Sequence, residues 1–133
     1  MKVSELTARE IVSKISQREL TCLEVAAGLI EQARMWANIN SLINFNEDQF
    51  LTSAHNADQQ LDVKKEIGIL HGLPLIIKDN IDVKGFTTTA ATQSLKSFTP
   101  KTHGPVVNAL LNAGAITMAK ANMHELAFTP GIT

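Results

Sequence analysis

The sequence carries one cysteine, Cys22, so it can close no internal disulfide and is not a stapled secreted scaffold. It has no long hydrophobic run, which excludes an expected membrane-spanning helix. Neither sign of charge prevails: 12 Lys+Arg stand against 13 Asp+Glu, the net charge is −1 and the pI is about 6.4. That balance offers no electrostatic footprint for nucleic acid or for an acidic membrane surface. The opening residues lack the basic-then-apolar pattern of a secretory signal, and with a lone thiol this makes the cytoplasm the expected compartment. The histidines at 55, 71, 103 and 124 have no ligand spacing, and His124-Glu125 is not the start of a His-Glu-x-x-His motif because Phe128 occupies the second histidine's place. Neither Gly68 nor Gly72 leads into the Gly-Lys-Ser/Thr ending of a phosphate loop, so no metal and no cofactor is expected. What remains is a chain of 133 residues, 44% apolar, long enough for one domain with its own core.

The order of elements points to an α/β fold. Thr7-Ala8-Arg9-Glu10 and Thr21-Cys22-Leu23-Glu24 are capping boxes, predicting one helix to about Ser16 and a longer one to about Ala37. Cys22 sits in the first turn of the second helix, a place that favours a thiolate, although a buried, idle thiol is the expectation. Ser41 to Phe45 alternates as a short strand, and Glu47 to Lys64 carries a narrow apolar stripe of helical period. Val63 to His71 is a connector. Gly72-Leu73-Pro74-Leu75-Ile76-Ile77-Lys78 reads as a strand, with Asp79-Asn80 as its turn and a threonine-rich loop, Thr87 to Thr92, beyond. Pro105 begins a helix that Gly114 ends, Ala115 to Ala119 is the next strand, running out at Lys120, and Asn122 to Phe128 is expected as a short helix capped by Asn122. Strand, crossover helix, strand implies a parallel pair. The whole divides into a helical lead-in over 5–38 and an α/β part over 40–133, in a sheet that is mixed or mostly parallel.

Lys78 is the first candidate for chemistry. In open α/β sheets the carboxyl ends of strands border the ligand crevice, and a lysine there acts as a base once burial strips the water from its ammonium. Ordinarily such a lysine reaches into solvent instead.

Four blocks in order, Gly72-Leu73-Pro74 through Lys78-Asp79-Asn80, Thr88-Thr89-Ala90, Pro105-Val106-Val107 with Ala113-Gly114-Ala115, and Lys120-Ala121-Asn122-Met123-His124-Glu125-Leu126-Ala127, resemble the N-terminal part of the amidase signature enzymes. Nearly the whole chain is covered by the resemblance, most strongly from Gly72 onward. The wording from Met123 to Phe128 is similar to indoleacetamide and mandelamide hydrolases more than to the A subunit of glutamyl-tRNA amidotransferase. The resemblance implies hydrolysis of a small carboxylic amide by a serine nucleophile, activated through a second serine by a neutral lysine, which Lys78 matches. It also places Ala127 and Phe128 beside the substrate.

Departures from that pattern are as informative. After Lys78 the only serines are Ser94 and Ser97, and no Gly/Ser-rich loop follows. Ala119 stands where a glycine precedes the lysine, and Thr129-Pro130 reads as an insertion. The expectation is an N-terminal piece of an amidase, an incomplete α/β fold that carries the base without its hydroxyl partners and is inactive alone. It would work with a C-terminal amidase half, self-associate, or persist as a non-catalytic remnant or A-subunit-like piece.

Overall fold

Two threonine-led boxes set the first two helices. Thr7 Oγ1 accepts from the Glu10 amide at 3.3 Å while the Glu10 carboxylate accepts from the Thr7 amide at 2.8 Å, and α1 (Ala8–Ser16) follows. Thr21 and Glu24 repeat the exchange at 3.0 and 2.8 Å ahead of α2 (Cys22–Met35). Each box satisfies amides that a first helical turn leaves without partners. A second acceptor reaches α2 from α3 (Glu47–Val63): the Asp58 carboxylate takes the Cys22 amide at 2.7 Å and the Leu23 amide at 3.1 Å. A carboxylate there also complements the helix dipole. α3 is itself begun by Asn46, whose Oδ1 accepts from the Gln49 amide at 3.0 Å.

The computed structural model describes residues 2–63 and 67–128. The expected end of the third helix at Lys64, the middle of the connector and the turn at Thr129-Pro130-Gly131 lie outside the described residues.

Three strands, β1 (Leu42–Ile43), β2 (Pro74–Lys78) and β3 (Ile116–Ala121), form a sheet of order β1-β3-β2. β2 runs parallel to β3 and β1 antiparallel, so the sheet is mixed, with helices flanking it. The central strand is β3. The parallel pair is joined through α4 (Pro105–Asn112), which has Pro105 in its first turn, where no amide hydrogen is needed. Gly114 then takes a φ of +99°, and its missing Cβ would stand 2.8 Å from His71 Cα. That close approach lets two loops zip together, Leu70 N to Ala113 O and Gly72 N to Gly114 O, each at 2.9 Å. The β2/β3 register slips between Leu75 and Ile76, so β3 holds one extra residue, Met118.

Two elements differ from expectation. Ser41 to Phe45 pairs only at Leu42 and Ile43, because Asn44 bends the chain at φ 48° and turns its side-chain amide to Thr87 Oγ1 at 2.9 Å. The helix expected over 122–128 is only a single 3-10 turn, Glu125–Ala127, with Leu126 at φ 52°. Asn122 does not cap it. Its Oδ1 accepts from the Met123 amide at 2.8 Å and its Nδ2 donates to Asn40 O at 3.0 Å, which ties the end of β3 to the segment before β1.

The larger core cluster joins Ile11 and Ile15 of α1, Val25 and Ala26 of α2, Phe50 and Ala54 of α3, and Met118 and Ala119 of β3. A smaller one gathers Ile77, Val83, Phe86 and Val107. Ile77 is buried while Ile76 and Lys78 on either side are exposed, so strand alternation sends them to opposite faces of the sheet.

Candidate active site

β2 ends on Lys78, as its sequence pattern implies, and the chain turns at once, with Ile81 N donating to Lys78 O at 3.0 Å. The amine is held: Lys78 Nζ donates to Asn122 O at 3.0 Å, just past the end of β3. It is not desolvated. Lys78 is exposed to solvent in this chain. Among the described residues, no serine hydroxyl hydrogen-bonds to it, and Ser94 and Ser97 are both exposed.

Desolvation is found instead at the neighbouring strand end. Lys120 of β3 is fully buried, with its Nζ 3.3 Å from Asp79 Oδ1, and Asp79 is fully buried as well. Nζ also donates to Thr88 Oγ1 at 2.9 Å and to Thr87 O at 3.2 Å. Burial pushes the Lys120 ammonium below the usual lysine range, and the Asp79 carboxylate pulls it back up. Asp79 Oδ2 accepts from the Thr89 amide at 3.2 Å and from the Thr89 hydroxyl in a very short bond. Its Oδ1 accepts no hydrogen bond and meets Lys120 as an ion pair only. The threonine-rich loop is therefore the polar lining of a buried charge pair. From sequence, Asp79 reads as a turn residue and Lys120 as the end of a strand. The available signal is that two apolar strand patterns each lead into a lysine, with a run of hydroxyls between them.

Two turns close the site. Ala90 and Ala91 have φ of 46° and 55°, Leu126 and Ala127 of 52° and 55°, so each turn carries two successive non-glycine residues in left-handed backbone. They are joined by Leu126 N donating to Ala90 O at 2.8 Å, and Ala90 N donates to Asp79 O at 3.1 Å. Ala127 and Phe128 ride on the second turn, both exposed, Phe128 to 88%.

On the face of the sheet that Lys78 shares with Ile76 lies an open groove of about 610 Å³, walled by Ile11, Leu29 and Ala33 from the helices and by Trp36 just past α2, and floored by Pro74 and Ile76. Trp36 is 51% exposed and Ile76 50%. These side chains make a contiguous apolar surface rather than scattered exposed residues. Of the histidines, His71 is buried with its Nε2 3.0 Å from Ala57 O and His103 Nδ1 accepts from the Lys84 amide at 3.2 Å, while the buried Nδ1 of His124 has no hydrogen-bond partner among the described residues. Cys22 is buried, and desolvation, then the Asp58 carboxylate, push its thiol up to about 12, which removes it as a nucleophile. Among the described residues there is no cluster of three metal-ligating side chains, and no helix is long and apolar enough to cross a membrane.

A family model described as Amidase matches residues 25–132. Mandelamide hydrolase of Pseudomonas putida is 35% identical over 93% of this chain, and the A subunit of glutamyl-tRNA(Gln) amidotransferase from Alkaliphilus metalliredigens is 35% identical over 96%. The equal identities remove the sequence-based preference for aryl-amide hydrolases over the A subunits. The crystal structure of an amidase superposes with a TM-score of 0.85 at 31% identity, covering 92% of this chain and 28% of that one. The chain spans about a quarter of the length of the curated relatives it matches.

Proposed function

The chain belongs to the amidase family, and from that premise we propose that it supplies the base-bearing portion of an amide-hydrolysing site, with Lys78 as general base. The observation that carries this reading is the position of Lys78, at the carboxyl end of β2 and on the face of that strand whose Pro74 and Ile76 floor an uncovered apolar groove. Its exposure fits a site completed by other residues. Once a serine-bearing segment covers that face, water leaves the amine, which then accepts a proton relayed from the nucleophilic hydroxyl. The hydroxyl oxygen bonds to the amide carbon, the C–N bond breaks as the nitrogen is protonated, and water then releases the carboxylic acid from the acyl-enzyme. Ala127 and Phe128 would rim the substrate, a small carboxylic amide. A cytoplasmic setting fits the single reduced thiol.

The partner is the serine-bearing remainder of an amidase domain, in the same polypeptide or another; self-association through the same groove is the competing use of that surface. The identity to the amidotransferase chain supports a second reading, in which the completed site feeds an amidotransferase. The test joins the chain to the serine-bearing remainder of the Pseudomonas putida mandelamide hydrolase and follows mandelamide hydrolysis. Lys78→Met is expected to lower turnover by about 10³-fold or more. Undiminished turnover would remove Lys78 from the mechanism. Joining instead to the remainder of the amidotransferase chain, with glutamine as the amide, separates the two readings.

A further inference from the structure

A fully buried charge pair often stabilises a fold no more than an apolar pair of similar volume would, so its bonds are worth tracing. The bonds of Lys120 and Asp79 run to the end of β3 and to the 87–92 loop beside Lys78. Asp79 follows Lys78 directly, and its amide donates to Ala121 O at 3.2 Å, fastening the end of β2 to β3. Its carbonyl takes the Ala90 amide at 3.1 Å and its carboxylate takes Thr89. Lys120 binds the same loop from the other side, at Thr87 O and Thr88 Oγ1. From Ala90 the chain of bonds continues to Leu126 at 2.8 Å, and so to the turn bearing Ala127 and Phe128. Both turns hold pairs of left-handed, Cβ-bearing residues, a conformation that persists only where the surroundings impose it.

We propose that Asp79 and Lys120 are positioning residues for Lys78: the buried pair locks the end of β2, the 87–92 loop and the 124–128 turn into one geometry, fixing the amine relative to Ala127 and Phe128. This rests on the reading of Lys78 as base. The pair orients; it does not touch substrate.

The double variant Asp79→Asn/Lys120→Met removes both charges together, so neither is stranded. In the 133-residue chain, amide hydrogen exchange at Ala90 and Leu126 is expected to quicken about 100-fold, while Ile11 and Val25 change less than about threefold. Exchange that is unaltered at Ala90 and Leu126, or that quickens equally everywhere, overturns the lock. Thr89→Val, which deletes one donor to Asp79 and keeps both charges, is expected to give about a tenfold effect at the same two amides, and no effect there counts against the proposal even if the double variant does not fold. In the joined mandelamide-hydrolysing enzyme, the double variant is expected to lower kcat about 100-fold with KM changed less than about threefold. An unchanged kcat in an enzyme that Lys78→Met silences overturns the positioning role and leaves the base reading intact. Turnover that survives Lys78→Met overturns the base reading and the positioning role with it.

Discussion

β2 and β3 lie side by side and run the same way, β2 finishing on Ile-Ile-Lys and β3 carrying Met-Ala-Lys one residue before its end, yet their lysines live in different media. In the pairing register Lys78 stands opposite Ala121 and Lys120 opposite Ile77, so the two amines leave the sheet on opposite faces. One face is closed by Val83, Phe86 and Val107, and the other is open at the groove. Residue type therefore does not decide whether a lysine is buried; register sends Lys120 to the side where Asp79 and the 87–92 loop enclose it, and Lys78 to the other side at an exposed strand end. The buried amine has a carboxylate and threonine oxygens around it, whereas the exposed one has a single carbonyl. The first is equipped to stay put, the second to accept a partner.

The sharpest way to break this contrast is to remove each lysine in turn. Lys120→Met strands a buried Asp79 and is expected to cost about 3–5 kcal/mol of stability, while Lys78→Met changes it by less than about 0.5 kcal/mol, both read from urea unfolding. Equal effects would mean that the two faces are equivalent. The adjacent isoleucines repeat the comparison without charge. Ile77→Ala on the closed face is expected to cost about 2–4 kcal/mol, and Ile76→Ala on the open face less than about 1 kcal/mol. Adding the serine-bearing remainder should then raise the cost of Ile76→Ala and leave that of Ile77→Ala unchanged.

The last and smallest contrast is one of pH and concerns Cys22, buried in the larger core. Its thiol is pushed up from 9.0 to about 12, so between those values the unfolded chain has lost a proton that the folded chain keeps. Stability from this source is complete below about pH 9 and drains as pH rises towards 12. Unfolding measured at about pH 8 and about pH 10 should differ by about 1 kcal/mol more in the native chain than in Cys22→Ala. An identical slope would show that the thiol is wet.

Much of this is legible in the sequence. Thr7 with Glu10 and Thr21 with Glu24 announce their helices because a capping box is a local exchange of bonds, complete within one helical turn. Pro105 and Gly114 bracket a crossover for the same reason, each acting through its own backbone. The site is only half legible. Lys78 at a strand end follows from the apolar run ahead of it, but the burial of Lys120 depends on a register shift at Met118 and on a loop 32 residues away along the chain. The segment after β3 misleads because Asn122 is a good helix cap in isolation. Here its side chain is already committed to Asn40 O, a contact between residues 82 positions apart, and no reading of neighbours foresees it.

The strand order has a consequence for growth of the sheet. With β3 in the middle, β2 offers a free flank among the described residues, and β1, two residues long, offers almost none. A further strand added along the full length of β2 would therefore come to rest next to the very strand that presents Lys78.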